Sequence, residues 1–240
     1  MQQLDVSACD LDVALKEFRE GKFVLLYDSM GRENEVDMVV AAERVSPEHV
    51  KVLRKDAGGL LCLALGCEIG EKLGIASMRD ILLFAAHQYP VLKLLDEENA
   101  PYGGKSAFSI TINHRRTFTG VTDRDRALTI TELAKLSRTS VDGEEDLQRV
   151  FAAEFKAPGH VNLLLESRGS LAERRGHTEL SVYLCRLAGM APAAVICEML
   201  DGKTHNALSV EDARSYARTH SIPFLEGQQL VGNFQQSGKC

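Results

Sequence analysis

The sequence contains no apolar run approaching the roughly 18 residues of a membrane-spanning helix, which excludes a helical membrane protein. It has no Cys-x-x-Cys pair, and its first residues (MQQLDVSACDLDVAL) lack a basic region followed by an apolar stretch. A disulfide framework is therefore not expected, and the chain reads as cytoplasmic. No Gly-x-Gly-x-x-Gly loop is present, so nothing marks a dinucleotide-binding site. An excess of basic residues is also missing. The formal net charge is -6, so bulk charge attracts neither nucleic acid nor an anionic membrane. An anionic substrate would need a local basic cluster. Linkers, low-complexity segments and internal repeats are absent as well.

What is present fits an ordinary globular chain: 45% apolar and 26% charged residues over 240 positions, enough for one large domain or at most two small ones. Of the six cysteines, Cys62, Cys185 and Cys197 lie in apolar runs and read as small core hydrophobes, with Cys62 the possible exception. Short all-apolar segments read as buried strands: residues 23–27, 38–42, 60–65, 161–165, 194–200 and 222–225. Phe108, Ile110 and Ile112 alternate with polar residues, which predicts a strand with one wet face. Helices are expected over residues 11–20 with Asp10 as cap, from Pro47 with Ser46 as cap, over 129–136, 144–155 and 178–188, and after Ser209. The tail after Gly227 is polar and Gly-rich and reads as loosely ordered. The interleaving of strands and helices points to a single α+β domain spanning 1–240, a three-layer α/β/α sandwich around a mixed β-sheet.

Five polar constellations can carry chemistry. Arg32-Glu33-Asn34-Glu35-Val36-Asp37 packs three carboxylates and a guanidinium between two buried strands; it suits a hard cation, or it is a solvated hairpin loop. Arg174-Arg175-Gly176-His177-Thr178-Glu179 opens a helix, where free N–H groups, two arginines and a hydroxyl can hold a phosphate. It is equally a helix start capped by Thr178. Pro158-Gly159-His160-Val161 reads as a turn entering a strand, and its histidine is either a proton carrier or inert. Glu198 stands in an apolar strand, where an ionised carboxylate needs a partner, a proton or a ligand. Thr119 to Arg126 is a hydroxyl-rich charged turn, with Asp125 either lining a site or capping the next helix.

In this order and at these spacings, the five segments resemble the 3,4-dihydroxy-2-butanone 4-phosphate synthase family, over about residues 11–225. Val36 stands where the family commonly has glycine, Asp28-Ser29-Met30-Gly31 replaces a more acidic approach, and residues 81–95 look like an insertion. With no second enzyme domain following, the chain resembles the monofunctional form.

The resemblance implies a lyase that converts D-ribulose 5-phosphate to L-3,4-dihydroxy-2-butanone 4-phosphate and formate. It implies Mg²⁺ (or Mn²⁺), two ions per site, on Glu33 and His177. It implies substrate contacts from Arg32, Glu33, Asp37, Arg174, Arg175, Gly176, His177, Thr178 and Glu198, and catalytic roles for His160, Glu198, Glu35 and Asp37. It further implies that Thr119 and Asp125 line the site, and that the enzyme is a homodimer whose site borrows residues across the interface. The rival readings are another metal-dependent phosphosugar enzyme, such as an isomerase or aldolase, and a non-catalytic domain of the same fold. Formate release separates the first, and retention of Glu33, Glu35, Asp37, His160, His177 and Glu198 argues against the second.

Overall fold

A computed structural model describes residues 10–96, 104–142 and 146–237. Residues 97–103 and 143–145, with Glu97 and Glu98 of the acidic run and the start expected for the 144–155 helix, lie outside the described residues, as do Cys9 and Cys240.

The chain opens with helix α1 (Leu11–Arg19), whose Asp10 carboxylate accepts the Asp12 N–H and so satisfies a free helix donor. Strands β1 (Val24–Tyr27) and β2 (Val36–Ala41) form a hairpin. Helix α2 (Pro47–Val52), capped by Ser46, runs on into a π-helical turn that Gly58 stops at φ 87. Then follow β3 (Cys62–Leu65), α3 (Cys67–Leu73), α4 (Met78–Ala85), α5 (Val91–Leu94) and β4 (Phe108–His114). The second half holds α6 (Asp123–Asp142), α7 (Leu147–Glu154), β5 (Phe155–Leu165), α8 (Ser170–Glu173), α9 (His177–Leu187) and β6 (Ala193–Glu198). The chain closes with α10 (Val210–His220), β7 (Phe224–Glu226) and α11 (Gly227–Gln236).

Among the described residues, seven strands join one mixed sheet in the order β4-β5-β3-β6-β2-β1-β7. Its central strands are apolar on both faces because helices cover both. Side chains alternate across the strands. Leu25, Met38, Val40 and Leu63 therefore pack with Val50, Ile130 and Leu133 on one side. Val24, Leu26, Val39 and Ala64 pack with Phe18, Leu180 and Leu184 on the other. The three-layer sandwich read from the sequence is the observed arrangement.

Three local expectations need correction. The tail is the ordered helix α11, with Leu230 and Phe234 one turn apart and both buried against the α9 layer. β4 has no simple wet face: Phe108 is 41% exposed while Ser109, Asn113 and His114 are buried. Its polar residues bond inward, Ser109 Oγ donating to the Ala76 carbonyl and Thr111 Oγ1 accepting from Gly159 N–H. Finally, Pro158 to His160 belong to β5 rather than to a turn before it. They form a bulge, since Ile112 pairs with Val161 but the next residue, Asn113, pairs with Lys156. Gly159 is required there, because a Cβ would run into the Ile112 backbone.

Candidate active site

Strand register builds the floor of the site. Asp37 and Glu198 are direct partners in the antiparallel β2–β6 ladder. Each shares a face with the residues two before or after it, so both project to the α9 side along with Cys62. Like charges directly opposite each other are unfavourable on a sheet face. Burial, followed by the negative charges of Glu198, Glu33 and Glu35, pushes the Asp37 carboxyl up to about 7, although His177 pulls against it. Glu198 Oε2 accepts the Leu60 N–H at 2.7 Å, which fixes the carboxylate over the start of β3. Burial and the same two carboxylates hold the Cys62 thiol far above its ordinary range, so it is a neutral floor residue.

The wall is the loop joining β1 to β2. Asp28 is 4% exposed and organises that loop: its two carboxylate oxygens accept the Glu33 N–H (2.9 Å) and the Glu35 N–H (3.1 Å). Asn34 supplies the left-handed residue at φ 58. Val36 is already in β2, fully buried and paired with Tyr27. Val36 thus stands outside the loop itself, and its side chain adds to the core. Burial and the Glu33 charge raise the Glu35 carboxyl as well.

The roof over this wall is the N-terminus of α9. Gly176, not Thr178, is the cap residue, and Glu179 accepts its N–H at 3.3 Å. His177 Nδ1 lies 3.2 Å from Glu33 Oε2, and its Nε2 lies 3.7 Å from Asp37 Oδ1. Burial alone would lower the imidazole, but Asp37, Glu33 and Asp28 outweigh it and raise it to about 9. Arg32 Nη1 pairs with Glu33 at 3.0 Å, and Arg174 Nη1 with Glu179 at 2.6 Å. Both guanidinium groups abut Gly176: a Cβ there would sit 2.5 Å from Arg174 Nη1 and 2.7 Å from Arg32 Nη2.

Glu33, Glu35, Asp37, Arg174, His177, Thr178 and Glu198 open onto one cavity of about 580 Å³. Its outer side is formed by the insertion-like segment: Leu82 and Leu83 of α4 and Leu92 and Leu95 at α5, tied by Arg79 donating to Asp96. No local sequence pattern marks these two helices as lining the cavity. Arg175 is exposed and is not among the cavity residues. His160 is not among them either. Cys62 pairs with both Asn162 and Ile196, so His160 and Glu198 lie at the same end of the sheet but two strands apart, roughly 10 Å by strand spacing. Asn113 holds His160 there, accepting its N–H at 2.9 Å and contacting its Nδ1 at 3.1 Å. Beside Asn113, Asp125 accepts the Gly120 N–H (2.8 Å) and the Thr119 hydroxyl (3.4 Å). Thr122, not Asp125, caps α6, its Oγ1 accepting the Asp125 N–H in the first turn. These residues make a second polar cluster on the β4 edge.

The donor set fits a hard divalent cation. Ligand atoms of Asp28, Glu33 and His177 lie within 4.8 Å of one another, oxygen with one imidazole. Asp37 Oδ1 and His177 Nε2 are buried and have no hydrogen-bond partner among the described residues. Asp28 was missed in the sequence, although an aspartate directly after an apolar strand is a recognisable loop anchor.

The sequence profile of 3,4-dihydroxy-2-butanone 4-phosphate synthase matches residues 12–233. An enzyme of that name from Methanothermobacter thermautotrophicus is 49% identical over 93% of this chain and 95% of its own. One from Archaeoglobus fulgidus is 42% identical over 95% of this chain and 94% of its own. A solved 3,4-dihydroxy-2-butanone 4-phosphate synthase in complex with two magnesium ions superposes with a TM-score of 0.75. It is 27% identical and covers 98% of this chain and 100% of that one.

Proposed function

The chain belongs to the 3,4-dihydroxy-2-butanone 4-phosphate synthase family, and from that premise we propose how it converts D-ribulose 5-phosphate to L-3,4-dihydroxy-2-butanone 4-phosphate and formate in riboflavin biosynthesis. One observation supports the reading most: a cross-strand carboxylate pair and a helix N-terminus flanked by two arginines face the same cavity. The first can move protons beside a carbonyl, and the second can hold a phosphate.

The phosphate is bound by Arg174 Nε and the Thr178 hydroxyl at the head of α9, with Arg32 alongside. Arg175, being exposed, adds charge rather than contact. Glu33 and His177 hold Mg²⁺, with Mn²⁺ as the alternative ion and two ions per site. When bound, such an ion supplies positive charge that polarises the substrate's oxygens. Asp37, opposite Glu198 on the cavity floor, is placed to carry a proton to and from the substrate. Glu198 keeps one oxygen on Leu60 N–H and offers the other to substrate. Glu35 stands behind Glu33 in the same wall. These groups serve an enediol, loss of water, a skeletal rearrangement and hydrolytic release of the carbon that leaves as formate. His160, with Thr119 and Asp125 beside it, acts in the site of a partner subunit of a homodimer. The whole chain works as one synthase domain in the cytoplasm, without nucleic acid or membrane.

Incubation with ribulose 5-phosphate and Mg²⁺ releases formate, EDTA stops the release, and fresh Mg²⁺ restores it. Absence of formate from folded, metal-supplied protein overturns the reading.

A further inference from the structure

Glu179 is a fully buried carboxylate, 0% exposed, on the first turn of α9. Burying a carboxylate is costly unless strong donors surround it. Three do. Oε1 accepts the Ser167 N–H at 3.1 Å, and Oε2 accepts Arg174 Nη1 at 2.6 Å and the Gly176 N–H at 3.3 Å. These donors come from three places: the chain leaving β5, the arginine on the cavity wall, and the cap of α9. An ordinary capping glutamate satisfies the cap N–H from the solvent side and needs neither burial nor an arginine.

The arginine explains the arrangement. Arg174 sits in extended backbone, φ -138 and ψ 136, in the short link between the four-residue α8 and α9. Glu179 takes Nη1, while Nε is buried and has no hydrogen-bond partner among the described residues. The guanidinium is thus fixed by one corner with an unused donor, and Arg174 lines the cavity next to Thr178. Gly176 leaves room for it to cross the helix start, beside Arg32.

We propose that Glu179 is the positioning residue of the phosphate corner: held in place by the Gly176 and Ser167 N–H groups, it grips Arg174 Nη1 and presents Arg174 to the substrate phosphate in one fixed geometry. It touches no substrate itself. The inference rests on the reading of Arg174 as a phosphate contact.

The test compares E179Q, R174A and the double variant R174A/E179Q, with thermal melting as the folding control. E179Q raises the KM for ribulose 5-phosphate on the order of tenfold with little change in kcat, because a pre-ordered contact is lost in ground and transition states alike. Inhibition by inorganic phosphate weakens in parallel. The double variant has the KM of R174A within about twofold, because Glu179 acts through Arg174.

An E179Q enzyme with wild-type KM, or one that loses kcat with KM intact, overturns the proposal. If E179Q does not fold, the double variant decides alone, since it leaves no unpaired buried charge: a KM well above that of R174A overturns the proposal. An R174A enzyme with unchanged KM overturns the phosphate reading beneath it, whereas a raised KM in R174A alone removes only the role of Glu179.

Discussion

His177 Nε2 stands 3.7 Å from Asp37 Oδ1, beyond hydrogen-bond range, and both atoms are buried without a hydrogen-bond partner among the described residues. The other ring nitrogen faces Glu33 Oε2. An imidazole set between two carboxylates is a proton trap when nothing else neutralises them, and a ligand when a cation does. If Glu33 and His177 hold the metal as proposed, the same three residues tie protonation to metal binding.

Metal-free stability should fall with rising pH in a way that depends on His177. Its pKa is raised from 6.5 to about 9, so the folded state binds this proton more tightly than the unfolded chain does. The stabilisation is complete below about pH 6.5 and is lost as pH rises through about 9. Asp37, raised to about 7, slopes the same way at lower pH. A ligating histidine must be neutral, so Mg²⁺ should raise Tm more at about pH 9 than near neutrality. Thermal melts of the wild type and His177→Asn, with and without Mg²⁺, check this. Equal pH slopes in the two metal-free proteins, or a pH-independent Mg²⁺ effect, would refute it.

Gly176→Ala should damage binding more than folding. The added Cβ meets Arg174 Nη1 at 2.5 Å and Arg32 Nη2 at 2.7 Å, and neither guanidinium can simply swing away, since each is held by a carboxylate. Losing one charge-assisted contact to phosphate costs about 1.5–3 kcal/mol, so KM should rise roughly tenfold or more. Alanine as a cap in place of glycine adds a loss of up to about 1 kcal/mol in stability. An unchanged KM would show that the two arginines do not need this gap.

The sheet was legible because its central strands are apolar on both faces, and the helix starts at Asp10, Ser46 and Ser209 were legible because a capping side chain precedes each. What escaped has physical causes. In α11 only Leu230 and Phe234 are buried apolar positions beneath a polar, glycine-bearing surface, so local composition hid a helix that tertiary packing holds. The Pro158–Gly159 pair has the composition of a turn, yet the cross-strand bonds from Thr111 and Asn113 make it a bulge within β5. The acidic loop and the α9 start were visible as charge clusters. That Asp28 orders the first, and that α4 and α5 cover both, depends on contacts that no local pattern encodes.

Val36→Gly tests what the valine contributes at the position where the sequence resemblance puts a glycine. Val36 packs in the core, and its carbonyl accepts the Met199 N–H. It adopts no left-handed backbone, so glycine gains nothing there. Removing a buried valine side chain from a strand should destabilise the fold by roughly 2–4 kcal/mol. Urea unfolding measures the loss. A variant within about 0.5 kcal/mol of wild type would mean that the site collapses without a cavity.

His160 and Glu198 are two strands apart in one chain, and of the two Glu198 alone lines the cavity. Glu198→Gln keeps an oxygen for the Leu60 N–H and removes the base, so the fold should survive while kcat falls by about 10² to 10⁴. His160→Asn should act alike, since Asn113 fixes the backbone at that position independently of the ring. If His160 serves the cavity of a partner subunit, each inactive variant still carries what the other lacks. In a mixed dimer one site then combines an intact Glu198 with an intact His160, and the second site lacks both. Random exchange at equal amounts should restore about one site in four. Mixing the purified variants after partial unfolding and refolding, with subunit exchange verified by mass, gives the measurement. Recovery near a quarter of wild-type formate release supports a site built across the dimer. No recovery despite verified exchange places both residues in the service of one chain, and full activity in either single variant removes it from the chemistry.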